Sequence, residues 1–297
     1  MAEPLQELRT RFALPGLSFD DHHGGLVRAV VKTAISEGAV FLQGAHVSHF
    51  QPAGQHPVLW MSEKSWFEAG RPIRGGVPIC FPWFGPHPSD ASAPGHGSVR
   101  LQPWRLTSAE LLEDGGIGVR LQASCAPFDM TYRVQFGRSL VMEFSVELSE
   151  QAEVAAEYEE ALHTYFSVGD IHRTTVSGLE QSDFVDTVGG RTERKASGQP
   201  IRFESETDQV YQNTIGACVI HDPALKRRIV IDRRNSASTV VWNPWIAKSV
   251  RMPDFGDHEW PGMLCVETAN IRENRVRLQP GQQHTLRTTI ESLPSAG

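Results

Sequence analysis

The sequence predicts an all-β fold, a large antiparallel sandwich with few short helices. Three observations carry that expectation. In SLVMEFSVELS the residues Leu140, Met142, Phe144, Val146 and Leu148 alternate strictly with others, the period-two pattern of a strand that buries one face. Short apolar runs of the same kind recur, at GACVI and RRIVID among others, and turn residues separate them. Long helical patterns are scarce, and strands without intervening helices favour antiparallel sheets over an α/β arrangement.

In chain order, Leu5, Leu8 and Phe12 after Pro4 predict one amphipathic helix over residues 4 to 13 that ends before Pro15. LVRAVVKTAISEGAVFLQGAHVSHFQP reads as two or three strands broken at Glu37-Gly38 and near Gly44. The Gly-, Pro- and Ser-rich stretch from Gly85 to Gly97 is an irregular loop, and a loop of that length inside a compact domain is more often functional than accidental. RVRLQPGQQHTLRTTIES reads as a C-terminal hairpin turning at Pro280-Gly281, with Val276 and Leu278 on one inward face and Leu286, Thr288 and Ile290 on the other. No linker divides the chain, so one domain over 1–297, with its core from about residue 20 to 293, is expected.

The 297 residues are 40% apolar and 21% charged, the balance of a soluble globular protein. A formal net charge of -7 argues against nucleic acid or an anionic membrane as partner, so an anionic ligand must be held by a few local cations. No run approaches the ~18 apolar residues of a membrane span. MAEPLQELRTRFALPG lacks the basic region and apolar core of a secretory signal, and a cytoplasmic protein is expected. No exposed apolar stripe stands out, which favours a monomer. Cys80, Cys125, Cys218 and Cys265 are scattered, without a CxxC pair, and read as buried reduced thiols with no metal or redox cofactor.

Polar residues inside apolar strands are the candidates for chemistry. In AEYEEALHTYFSVGDI, period-two counting puts Ala161, His163, Tyr165 and Ser167 on one face and Leu162, Thr164 and Phe166 on the other, so His163 lies on the more polar face. It is a pocket-lining residue or a hydrogen-bonded core histidine. Glu267 follows Met263, Leu264, Cys265 and Val266. It is either a desolvated carboxylate suited to base catalysis or the end of a strand reaching solvent. Arg74 opens RGGVPICFPWFG, where Gly75-Gly76 permits close backbone approach and Pro78 and Pro82 stiffen the frame. Such a frame aims a guanidinium at a phosphate or carboxylate, or forms a rigid surface turn. Trp83 and Phe84 offer apolar walls, and His96 and Arg100 reach the same place if the irregular loop folds back.

Together RGGVPICFPWFG, HGSVR followed by a Trp, ALHTYF, TDQVY, VVWNPWIAKSVRMPDF and MLCVETAN resemble, in order and type, the D-hexose-6-phosphate mutarotases of the aldose-1-epimerase superfamily. The resemblance spans roughly residues 26 to 290. It implies a galactose-mutarotase-like β-supersandwich, a metal-free site needing no cofactor, and interconversion of the anomers of a hexose 6-phosphate, glucose 6-phosphate first. His163 and Glu267 are similar to the family's catalytic pair, Asp208 to its sugar-binding carboxylate and His96 to its second histidine. Arg74 and Arg100 are similar to its phosphate-binding pair, with Lys248 as a weaker candidate; Trp83, read from the residues alone, either stacks on the apolar face of the sugar ring or packs in the core. The family more often reads HGFAR where this chain has His96-Gly97-Ser98-Val99-Arg100.

Anomer exchange removes the proton of O1 and delivers one to O5, which assigns Glu267 as base and His163, as imidazolium, as acid. Those roles require an ionised carboxyl and a protonated imidazole at one pH, and so a rate that falls on both sides of a maximum. The alternatives are a sugar-phosphate binder without turnover, an aldose 1-epimerase of free sugars, a two-carboxylate glycosidase and a cupin-like metalloenzyme. The last lacks an HxH cluster, since His46 and His49 are three apart and His22 and His23 adjacent.

Overall fold

The computed structural model describes residues 4–22 and 25–295; His23 and the first three residues of the N-terminal stretch lie outside the described residues. Among the described residues the strands form a four-stranded, an eight-stranded and a nine-stranded sheet and a two-stranded ribbon, with antiparallel pairing throughout the named strands. No helix among these residues is long and apolar enough to cross a membrane. The predicted helix is present as Leu5–Arg11, and its Leu8 is fully buried.

The alternation read in SLVMEFSVELS builds the Leu140–Leu148 strand, in which all five apolar positions are buried. It lies in the nine-stranded sheet between Phe128–Phe136 and the C-terminal strand Gln283–Pro294. GACVI and RRIVID form the paired strands Cys218–Asp222 and Arg227–Arg234 of the same sheet. Phe144, Leu286 and Ile290 of this sheet join Leu162, Leu264 and Val266 of the eight-stranded sheet in one hydrophobic cluster. Burial of this shared face, at about 25 cal/mol per Å² of apolar surface, drives the assembly.

Three local expectations are corrected. Pro280-Gly281 does turn the chain, with the Gln282 N–H donating to the Gln279 carbonyl at 2.9 Å, but the flanking strands do not pair as a hairpin. Val276–Leu278 pairs with Ala156–Tyr158 in the ribbon, whereas Gln283–Pro294 pairs with Leu140–Leu148 and Arg227–Arg234. Apolar alternation fixes which face is buried but not which neighbour is chosen. Glu37-Gly38 is no break: both lie inside Ser36–Phe41, and Gly38 leaves the space that the Phe136 ring fills. The break near Gly44 is present, at positive φ and against the Arg100 backbone. Of the four free cysteines, Cys125 is only partly buried, because it ends the exposed tip of Ile117–Cys125.

Candidate active site

The floor of the site is one face of the eight-stranded sheet, and strand register alone places its residues. Leu162 pairs with Thr268 and Tyr165 with Cys265, both across to the strand Met263–Asn270. Continuing that register sets His163 directly opposite Glu267. The ladder is interrupted there, because the His163 N–H donates to the Pro78 carbonyl at 3.0 Å and the Thr164 N–H to that of Leu162 at 2.8 Å. On the other side Glu267 pairs with Val240 and Val240 with Val210, while Cys265 pairs with Trp242 and Trp242 with Asp208. Two cross-strand rows result, one running from His163 through Glu267 to Val210 and one from Tyr165 through Trp242 to Asp208.

Glu267 is therefore no strand end reaching solvent. It is 1% exposed, in a strand whose every residue is buried. Its Oε1 lies 3.4 Å from His163 Nε2, and its Oε2 is sealed without a hydrogen-bond partner. Burial pushes the Glu267 carboxyl well above its usual 4.5, and Asp208 adds to the shift. Burial likewise pulls the His163 imidazole well below 6.5, with Arg74 and Arg100 adding positive charge nearby. The pair thus favours a neutral imidazole beside a protonated carboxyl, which reverses the order expected from the sequence. Desolvation penalises both charged forms at once, and the surrounding cations penalise the imidazolium further.

The irregular loop does fold back onto this floor. His96, at positive φ, donates its N–H to the Gly85 carbonyl at 2.7 Å, and its ring stands edge-on to Phe84 at 4.7 Å and to His163 at 5.5 Å. Its Nδ1 accepts the Gly85 N–H at 3.3 Å, which leaves the proton on Nε2. Burial, then Arg100 and Arg74, brings its pKa down to about 3, so this imidazole is neutral. Gly97 has to be glycine: its φ is +79°, and a Cβ there would overlap the Phe81 backbone. Ser98-Val99, the departure from HGFAR, puts a fully buried Val99 in the main core, with its carbonyl accepting the Trp104 indole N–H at 3.0 Å.

Arg74 and Arg100 differ in how they are held. Arg74 donates from Nε to Asp254 at 3.2 Å and from Nη1 to the Tyr165 hydroxyl at 2.8 Å, and its Nη2 lies 3.1 Å from Asp254 Oδ2. Asp254 is 3% exposed, so this is a buried ion pair. Gly76 sits beneath it with φ +57° against the Val47 backbone and His46, which is the close approach that the glycine pair was expected to provide. Arg100 donates to the Gly95 carbonyl at 2.7 Å but makes no ion pair among the described residues, and its Nε is sealed and unpartnered. Burial and the neighbouring Arg74 lower its pKa. A cation so placed is short of an anion.

Asp208 is half-buried on the adjoining wall, and burial raises its pKa. Lys248, on the helix Trp245–Arg251, sits 3.1 Å from Glu206 and 3.8 Å from Asp208 and lies over the Trp242 ring. Its charge is thus engaged by carboxylates on the Asp208 side. Trp83 donates its indole N–H to the Pro94 carbonyl at 3.0 Å. Together with His96 and Asp208 it lines a cleft of about 740 Å³. Sequence reading gave no role to Asp254, Tyr165 or Arg272. Asp254 and Tyr165 carried a signal, since VRMPDF and ALHTYF were among the matching segments, but only the fold shows that both hold Arg74. Arg272, which also lines the cleft, sits on a turn with no motif around it.

The sequence profile named aldose 1-epimerase matches residues 32–291. The chain belongs to the aldose 1-epimerase family. It is accordingly an isomerase of the epimerase class, and its substrate is a small sugar. A relative from Escherichia coli K12 is 37% identical over 241 residues, covering 79% of this chain and 80% of the relative. One from Cenchrus ciliaris is 31% identical over 288 residues, covering 92% and 86%. Both bear the name "Putative glucose-6-phosphate 1-epimerase". The crystal structure of YeaD from Salmonella typhimurium, described as a "putative mutarotase", superposes with a TM-score of 0.87 at 31% identity over 95% of each chain. A galactose mutarotase-like protein from Clostridium acetobutylicum shares the fold, with a TM-score of 0.69 at 13% identity over 95% of this chain and all of that one.

Proposed function

We propose that the protein interconverts the α and β anomers of a D-hexose 6-phosphate, glucose 6-phosphate foremost, by acid–base opening and closing of the pyranose ring. The observation that carries this reading is the 3.4 Å contact between His163 and Glu267, flanked by a guanidinium without a carboxylate partner. O1 and O5 are both bonded to C1, so the acid and base that serve them must themselves be close neighbours. An imidazole and a carboxyl opposed across one strand pair meet that demand.

Glu267 takes the O1 proton as the C1–O5 bond breaks, and His163 gives its proton to O5. The open aldehyde turns about C1–C2, and the reverse transfers close the other anomer. Ring closure returns each side chain to its starting protonation state, and the pair carries no net charge at either stage. The ionised pair this requires holds the same number of protons as the neutral pair favoured by the empty site, and a proton passing from carboxyl to imidazole interconverts them. A phosphate dianion beside Arg74 and Arg100 offsets the positive field that keeps His163 neutral, so substrate favours the reactive form. His96, as neutral Nε2–H donor, and Asp208 hold sugar hydroxyls, Trp83 walls the ring, and Lys248 orients Asp208.

The test is NMR magnetisation exchange between the anomers of glucose 6-phosphate, with galactose as comparison. His163→Asn and Glu267→Gln should each slow exchange roughly 10²–10⁴-fold. Wild-type rates in either variant, or a wild type faster on galactose, overturn the reading.

A further inference from the structure

We infer that Tyr165 is a positioning residue that couples occupancy of the arginine pair to the setting of the catalytic imidazole. The inference rests on the function proposed above and adds a residue to which that function gives no part.

The imidazole of His163 is held in an unusual way. Its Nδ1 is sealed from solvent and has no hydrogen-bond partner among the described residues, so the contact of Nε2 with Glu267 at 3.4 Å is the ring's one polar anchor and leaves the ring free to turn about that line. Its face instead lies on the Tyr165 ring, with centroids 4.8 Å apart and planes within 10° of parallel. Trp242 stands edge-on to both rings, 6.1 Å from His163 and 5.9 Å from Tyr165, and His96 edge-on to His163 at 5.5 Å, so the stack on Tyr165 is the one face-to-face contact that sets the tilt.

The platform is in turn bound at two points to the segment that carries Arg74. Its hydroxyl accepts from Arg74 Nη1 at 2.8 Å, and its backbone N–H donates to the Gly76 carbonyl at 2.9 Å. Asp254 occupies the other side of the guanidinium, so Arg74 cannot shift towards a ligand without moving its bond to Tyr165. The phenol proton itself has no acceptor among the described residues. A phosphate oxygen at Arg74 would supply one. The 6-phosphate and the imidazole, at opposite ends of the hexose, are thereby joined through one buried ring that is 1% exposed. Coupling of this kind is a free energy shared by two sites through one element that both contact.

Tyr165→Phe keeps the platform and removes the hydroxyl, while Tyr165→Leu removes both. The expected result is that Phe lowers kcat on glucose 6-phosphate about tenfold with a smaller change in KM, and lowers exchange of free glucose about twofold or less. Leu should lower both substrates further, so that Phe rescues glucose exchange relative to Leu. Titration with inorganic phosphate, followed by the ring resonances of His163, should move them in wild type and, because the anion's charge also reaches the imidazole directly, move them about half as far or less in Tyr165→Phe. Equal losses on both substrates in Phe, or a phosphate-induced shift of undiminished size there, overturn the coupling; a Leu variant no worse than Phe on glucose overturns the platform. If the wild type exchanges no glucose 6-phosphate, it is the proposed function that fails, and the phosphate titration still decides the role of Tyr165.

Discussion

Replacing each arginine by methionine should separate two cations that look alike in the sequence. On glucose 6-phosphate, either change removes charge-assisted hydrogen bonds worth about 1.5–3 kcal/mol each. Two such bonds lost at the phosphate amount to about 3 kcal/mol or more, roughly 10²-fold in kcat/KM. Free glucose, which has no phosphate to hold, should lose about threefold or less. Stability of the empty protein should split the pair. Arg74→Met strands Asp254, which is 3% exposed and has Arg74 as its ion-pair partner, and breaking a buried pair from one side costs about 3–5 kcal/mol. Arg100→Met loses one bond to the Gly95 carbonyl, about 1 kcal/mol, and relieves a partly buried charge that no carboxylate balances. Its stability should stay within about 1 kcal/mol of wild type, or rise. Urea unfolding at fixed pH measures the second quantity and anomer exchange on the two sugars the first. Equal destabilisation by the two substitutions, together with equal losses on both sugars, would refute the assignment of Arg100 as a binding cation awaiting an anion.

The pH profile follows from the directions of the two shifts. Groups at their usual values would leave the pair with a single proton only between 4.5 and 6.5. With the imidazole lowered and the carboxyl raised, the acid limb of kcat/KM, which reports the free enzyme, belongs to His163 and the alkaline limb to Glu267, the reverse of the usual assignment. NMR titration of the free protein in which Glu267 loses its proton before His163 as pH rises would contradict the neutral resting pair. Gly97→Ala places a Cβ against the Phe81 backbone at a φ of +79°, so it should cost about 3 kcal/mol or more and displace His96 and Arg100 together. Crystal structures or amide exchange of the loop 85–97 would show the displacement, and an unchanged melting temperature would dismiss it.

The sequence was most legible where a single strand carried the signal. Period-two counting found the buried face of Leu140–Leu148 and the face shared by Ala161, His163 and Tyr165, because strand geometry alternates side chains whatever the neighbour. It could not show that Val276–Leu278 and Gln283–Pro294 join different partners, since the partner is chosen by contacts far along the chain. The candidate site residues were named through motif resemblance, residue by residue, but their pairings were not legible. That Arg74 is held by Asp254, that Arg100 has no counter-ion among the described residues, and that Glu267 stands directly opposite His163 are all relations between segments tens to hundreds of positions apart. The ionisation state was the least readable, because it depends on how completely the sheet excludes water from the pair.

That exclusion explains why the site is built on a sheet face and not on a loop. A carboxyl and an imidazole in water would ionise as a pair and each hold its solvent shell, and both shells would have to be shed as a pyranose arrived. Opposed on adjacent strands, with His163 and Glu267 at 8% and 1% exposure, they have already shed them during folding, and the neutral state limits the cost. The missing charge separation is then brought by the substrate. On the proposed function, its phosphate balances Arg100 and weakens the cationic field opposing the imidazolium, so the reactive form gains most when the anion is bound. A free hexose fills the same floor without supplying that charge. On this argument discrimination between the two sugars should fall on kcat as well as on KM, because the phosphate acts on the acid–base pair and not on affinity alone.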